Sequence, residues 1–286
     1  MPMDVEERTL TTADGLHLHV ERHRPTGTAR GVLVFLHGFA VHVGLYRHVA
    51  AAFAGAGIDV TAFDCRGHGR SEGRRGYVRR FSDFDDDLAL VIESARAGCP
   101  GAPLALLGHS QGGTIALAHA LKAELRLDAL LLVAPWLGLA MPVPAVKRLM
   151  APILGAVWPT LALKSGIRVE DATRDPQMQA LLSADPMIHH VATGRWFNEA
   201  RATQAHILRR AATLRVPTYI ALPGDDRIAD AQATIAFARA AGPIVQISTT
   251  EGTFHELFLE PERDLIVNEL VSWLVARLNR RIIESS

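Results

Sequence analysis

A serine stands between two glycines in Gly108-His109-Ser110-Gln111-Gly112, after an apolar run and before Gly113-Thr114-Ile115-Ala116. A strand that turns sharply into a helix at such a serine presents the hydroxyl alone, on backbone that needs small flanking residues. The chemistry this offers is nucleophilic attack. A serine hydroxyl is a poor nucleophile near neutral pH, so it requires a base within hydrogen-bond reach and a carboxylate that holds the base in one tautomer. The bare Gly-x-Ser-x-Gly pattern also describes serines that only shape a turn. The strand before it and the helix after it favour the catalytic reading of Ser110.

Two later stretches supply the partners. Ile220-Ala221-Leu222-Pro223-Gly224-Asp225-Asp226 places two carboxylates just beyond an expected strand, and Gly252-Thr253-Phe254-His255-Glu256-Leu257 places a histidine past the next one. His255 is the candidate base, because His206 does not lie in a loop after the last strand. One of Asp225 and Asp226 is the candidate acid and the other a turn or helix cap, with Asp226 preferred. A tetrahedral intermediate needs two backbone N–H donors, one from the residue after the nucleophile and one from the loop after an early strand. Gln111 holds the first position, and Phe39, after Val34-Phe35-Leu36-His37-Gly38, holds the second.

Two other patterns carry weaker chemistry. The glycine-rich stretch Asp64-Cys65-Arg66-Gly67-His68-Gly69-Arg70-Ser71 lacks the lysine and spacing of a phosphate-binding P-loop and reads as a tight structural loop. His17, His19 and His23 share one face of a possible strand; an exposed edge strand explains them better than a metal site.

The elements that must position these residues follow from hydrophobic pattern. Apolar runs at 31–36, 58–64, 104–108, 130–134, 217–222 and 244–248 read as buried strands, and 49–56, 84–96, 114–124, 231–240 and 265–278 read as crossover helices. This alternation predicts an α/β protein with a mostly parallel sheet covered on both faces. Residues 136–210 break the rhythm, with frequent proline and methionine, helical spacing and no clear strand. They are expected to form an inserted helical cap over the ligand-binding ends of the strands, leaving 1–135 and 211–286 as the core domain. Leu137, Leu139, Met141, Val143, Leu149, Met150 and Leu154 offer apolar surface there for a fatty acyl chain, or simply cap packing.

Composition narrows the partners. The 286 residues contain 30 basic and 30 acidic side chains, so no net field draws the chain to nucleic acid, and a small-molecule substrate is expected. Cys65 and Cys99 are too few for a disulfide framework and read as free thiols. The acidic start at 1–7 does not resemble a secretory leader, and Pro135, Pro142 and Pro144 break the most apolar stretch, so a cytoplasmic protein without a spanning helix is expected. Transient contact of the apolar cap with a membrane surface fits the composition. No cofactor or metal is called for, and oligomeric state is not legible.

Taken together, His37-Gly38-Phe39, the stretch from Arg66 to Gly73, the serine elbow, Tyr77-Val78, Phe81-x-Asp83-Phe84-x-x-Asp87-Leu88, Asp226-Arg227-Ile228-x-Asp230 and Glu251-Gly252-x-x-His255-Glu256 resemble the monoacylglycerol lipase and lysophospholipase family. The similarity runs from about Thr9 to Leu278 and includes the Asp185-Pro186 step of the cap. It implies an α/β-hydrolase fold, Ser110 as nucleophile, Asp226 as acid, His255 as base, and the backbone amides of Phe39 and Gln111 as the oxyanion hole. It also implies hydrolysis of lipid-like carboxylic esters. Short-chain or aromatic esterase, thioesterase, acyltransferase and C–C bond hydrolase chemistry share the same scaffold, as would a receptor that kept the fold without catalysis.

Overall fold

The computed structural model describes residues 5–122 and 127–284, with side chains described as far as residue 279. The chain runs through β1 (Val5–Thr11), β2 (His17–His23), β3 (Gly31–Leu36), α1 (Arg47–Gly55), β4 (Ile58–Phe63), α2 (Ser82–Ala97), β5 (Leu104–His109), α3 (Gln111–Ala120) and β6 (Ala129–Val133). An insertion follows, with α4 (Ala145–Val157), β7 (Ala162–Lys164), α5 (Val169–Ala172), α6 (Pro176–Ala184), β8 (Val191–Thr193) and α7 (Gly194–Arg210). The chain then returns through β9 (Thr218–Pro223), α8 (Ala231–Ala241), β10 (Val245–Thr250) and α9 (Arg263–Glu284).

Eight strands form one sheet in the order β1-β2-β4-β3-β5-β6-β9-β10, antiparallel at the β1–β2 and β2–β4 pairs and parallel elsewhere. Alternation along each strand sends successive residues to opposite faces. Val32, Val34 and Leu36 of β3 and Leu104 and Leu106 of β5 join Phe84, Leu88 and Val91 of α2 and Ile115 of α3 in one core. Leu33, Phe35, Ala105 and Leu107 join Val49 and Phe53 of α1 and Leu270 and Leu274 of α9 in the other. Both faces of the parallel sheet are therefore covered, which is why its strands read as unbroken apolar runs.

Three expectations need correction. The insertion does contain strands: β7 and β8 pair antiparallel over three residues each. The histidine-bearing strand β2 is not an edge, because β1 pairs along its outer side, and His23 and Arg22 are buried. Arg22 makes two 2.8 Å bonds to the Asp59 carboxylate of β4, which compensates its burial. Finally, α3 ends at Ala120, whereas residue 124, its expected end, lies outside the described residues, as do residues 1–4 of the stretch read against a leader. Among the described residues no helix is long and apolar enough to cross a membrane.

The turn from β5 into α3 depends on close backbone approach. A Cβ on Gly112 would lie 2.4 Å from the Leu36 carbonyl oxygen, and one on Gly108 would lie 2.5 Å from the Gly112 carbonyl oxygen. Gly112→Ala is therefore expected to destabilise the protein by about 1–3 kcal/mol despite alanine's better helix propensity. Gly55→Ala, at the end of α1 with nothing within 4 Å of the added carbon, is expected to be neutral or slightly stabilising. Thermal or denaturant unfolding of the two variants checks the contrast.

Candidate active site

Ser110, Phe39, Asp226 and His255 lie on four different loops, each beyond the carboxyl end of a parallel strand: β5, β3, β9 and β10 respectively. Ser110 sits at φ 50°, a backbone conformation that costs a non-glycine residue roughly 1–3 kcal/mol and that persists only where surrounding packing enforces it. Its N–H is bonded to the Val133 carbonyl at 3.0 Å, and its carbonyl accepts from the N–H groups of Thr114 and Trp136. The strained residue is thus tied to both β6 and α3.

The Ser110 hydroxyl lies 2.8 Å from His255 Nε2. His255 Nδ1 lies 2.8 Å from Asp226 Oδ2 and 3.1 Å from Oδ1. With Nδ1–H donating to the carboxylate, Nε2 is left as the acceptor for the serine proton. Asp226 is itself fixed, since its Oδ1 accepts from the N–H groups of Ile228 and Ala229 at 2.9 and 2.8 Å. Asp225 points elsewhere and pairs with Arg227 at 2.9 Å on the surface.

Electrostatics agree with this geometry. Burial alone would lower the pKa of His255, but the charge of Asp226 and its hydrogen bond outweigh that cost and raise it. Burial would likewise raise Asp226, yet His255 and the two backbone donors bring it below the ordinary carboxylate range. The pair is arranged to favour an imidazolium beside a carboxylate, the state that forms when the serine gives up its proton.

The loop after β3 is held from several sides. His37 Nδ1–H donates to the Gly38 carbonyl at 2.6 Å, while Nε2 accepts from the Cys65 N–H at 2.9 Å. Burial drives its pKa down to about 4, which keeps this neutral tautomer. The ring of Phe39 stacks on Trp196 of α7 at 4.0 Å and meets His189 edge-on at 5.0 Å. Gln111, the first residue of α3, has an N–H with no partner available within the helix. Its side-chain oxygen accepts from Trp196 Nε1 at 2.7 Å, so the insertion grips both residues expected to donate to an oxyanion.

Sequence reasoning missed Trp196, His189, His109 and Glu256. His109 Nε2 reaches the His255 carbonyl at 3.4 Å, and the Tyr46 hydroxyl donates to Glu256 Oε2 at 2.8 Å, bracing the loop that carries His255. Only the position of His109 and Glu256 next to Ser110 and His255 could have drawn attention to them. Trp196 and His189 lie in the insertion, where no local pattern marks them. The stretch from Asp64 to Ser71 is structural: the Asp64 carboxylate accepts from the N–H groups of Val43 and Arg70, and Arg66 binds Asp87 of α2 through two 2.6 Å bonds. Of the three strand histidines, His19 approaches Glu7 and Glu21, where Arg47 already donates to both carboxylates.

An apolar cavity of about 290 Å³ opens at Ser110, between Phe39 and Ile228 on the core side and Trp136, α4, Leu163 and Phe197 of the insertion. Leu139, Met141, Val143, Met150 and Leu154 line it as candidate acyl contacts. Leu137 and Leu149 do not. Leu137 is buried in the core, and Leu149 is 73% exposed on the outer face of α4.

Comparison with known proteins gives a consistent answer. The family model described as serine aminopeptidase, S33, matches residues 27–262. The chain is 32% identical to the monoacylglycerol lipase of Mycolicibacterium smegmatis over 274 residues, covering 95% of this chain and 98% of that one. It is 31% identical to the human monoglyceride lipase, covering 94% and 90%. Among solved structures, the monoacylglycerol lipase of Paleococcus ferrophilus superposes with a TM-score of 0.82 at 23% identity, covering 96% of this chain and all of that one, a likeness of fold. An eight-stranded, mostly parallel sheet, a serine elbow and two relatives above 30% identity over nearly the full length converge: the chain belongs to the α/β-hydrolase family of monoacylglycerol lipase-like proteins.

Proposed function

We propose that this protein hydrolyses carboxylic esters that join a medium or long acyl chain to a small alcohol, the monoacylglycerol type being the best fit. The observation that carries the reading is the bonded series Ser110, His255 and Asp226, with Ser110 opening onto an apolar cavity. Residues 136–210 act as the cap that shapes that cavity, over a core of 1–135 and 211–286. Similarity to lipases of two distant organisms supports the same choice.

In the first half-reaction the Ser110 hydroxyl attacks the ester carbonyl as His255 Nε2 takes its proton. The N–H groups of Phe39 and Gln111 stabilise the oxyanion that forms, an electrostatic contribution that is commonly the largest in acyl transfer. Collapse breaks the ester C–O bond, and the alcohol leaves with the proton from Nε2. Water then repeats the sequence on the acyl-enzyme and releases the fatty acid. Asp226 keeps Nδ1–H pointed away from the serine throughout.

The outer face of α4 fits an anionic lipid surface from which such substrates are drawn. Leu149 and Val157 are 73% and 80% exposed, with Ile153 and Trp158 beside them. Across 135–169 there are four basic residues, Lys147, Arg148, Lys164 and Arg168, and no acidic one, in a chain whose charges balance overall. An apolar face edged with cations is what an amphipathic helix presents to anionic headgroups. Free Cys65 and Cys99 suit a cytoplasmic setting.

Three outcomes test these assignments. Ser110→Ala should lower turnover of p-nitrophenyl and monoacylglycerol esters by on the order of 10⁴-fold or more while leaving the unfolding midpoint little changed. Catalysis needs neutral His255, whose pKa Asp226 raises, so kcat/KM should fall as pH drops through a value above the ordinary imidazole range; in Asp226→Asn the residual activity should show that limb at lower pH. Sedimentation with vesicles should show binding to phosphatidylglycerol-containing but not pure phosphatidylcholine membranes, reduced by salt and lost in Leu149→Glu/Val157→Glu.

A further inference from the structure

The indole of Trp196 meets the surroundings of Ser110 at three points. It stacks on the ring of Phe39, with centroids 4.0 Å apart and planes at 25°, and on Trp136 at 5.1 Å and 15°. Its Nε1–H donates to Gln111 Oε1 at 2.7 Å. The Trp136 N–H in turn donates to the Ser110 carbonyl at 3.0 Å. Phe39 and Gln111 are the two residues whose N–H groups are assigned to the oxyanion, so a single side chain of the insertion touches both.

These contacts are anchored at both ends. Trp196 and Gln111 are buried, and Gln111 Nε2 has no partner, so the bond from Trp196 is the one that fixes the Gln111 side-chain amide. Helix α7 is itself pinned to the core at its N-terminus. The N–H and the hydroxyl of Thr193 both donate to the Gly76 carbonyl at 2.9 Å, and Thr193 Oγ1 accepts from the Trp196 N–H at 3.2 Å. Backbone donors stabilise an oxyanion only over a narrow range of distance and direction, so whatever fixes the residues that carry them bears on the barrier. Trp196 also lines the apolar cavity, where its simpler role would be a wall for the acyl chain. The two roles differ in the substrates and the kinetic constant they affect.

We infer that Trp196 is a positioning residue for catalysis: by stacking on Phe39 and holding the Gln111 side chain, it aligns the two backbone donors of the oxyanion hole. Its loss therefore slows turnover of every ester, including those whose acyl group is too short to fill the apolar cavity. This rests on the ester-hydrolase reading above. A residue that only walled the cavity would act on long chains alone, and chiefly through KM.

The test measures hydrolysis of p-nitrophenyl acetate and p-nitrophenyl decanoate, and inhibition by 1,1,1-trifluoro-2-dodecanone. The ketone carbonyl carbon bonds to Ser110 Oγ as the hydroxyl proton passes to His255 Nε2, which leaves an alkoxide in the oxyanion hole. Trp196→Phe keeps a ring in the stack and removes the Nε1–H. It is expected to lower kcat about tenfold on both esters, with KM changed less than about threefold, and to weaken the ketone by a similar factor. Gln111→Leu, which leaves the backbone N–H in place, should do the same, and the double variant should lose no more than either alone, because both changes break one hydrogen bond. Unchanged kcat, a fall confined to the decanoate, a fall carried by KM, or losses that multiply in the double variant would overturn the inference. No turnover of either ester by the natural sequence would instead remove the hydrolase reading, and this inference with it.

Discussion

The contact between α3 and the end of β3 is the constraint on which the site depends. Ser110 reaches His255 only because the backbone turns at positive φ, and that turn is stable only because Gly108 and Gly112 let helix and strands approach to distances no side chain would permit. From this one junction follow the position of the Gln111 N–H, the grip of Trp196 on its side chain, and the mouth of the apolar cavity. The cost of the strained residue is met by the surrounding packing, notably the Ser110 N–H bond to β6.

Around that junction the insertion does more than cover. It contacts the loop of Phe39 through Trp196 and His189, and it meets the loop of His255 where the Glu256 N–H donates to the Ala172 carbonyl at 2.8 Å and Arg174 pairs with buried Glu260 at 2.7 Å. The insertion is thus mechanically continuous with the loops that carry Phe39 and His255.

Much of this arrangement could be read from the sequence, and the physics explains which parts. Strands buried on both faces announce themselves as apolar runs, and the observed bounds of β3 coincide with the expected 31–36. The elbow is legible because its glycines answer a steric demand. By contrast β1 is rich in charge and pairs on one side only, so Val5–Thr11 shows no strand pattern and β2 reads as an edge from sequence. Strands of three residues, such as β7 and β8, are too short to show periodicity. Helix α4 is apolar nearly all round, so nothing in its sequence separates Met150 and Leu154, which line the cavity, from Leu149, which faces outward. His189 and Trp196 act through contacts across more than 80 residues of chain, which no local pattern records.

We propose that Ser110 is the residue this architecture makes nucleophilic. The most direct test is to treat the protein with a long-chain fluorophosphonate and map the adduct by peptide mass spectrometry. A single adduct on Ser110 is expected, slowed by a monoacylglycerol competitor and greatly slowed in His255→Ala. Modification of another residue, or no modification of the folded protein, would contradict it.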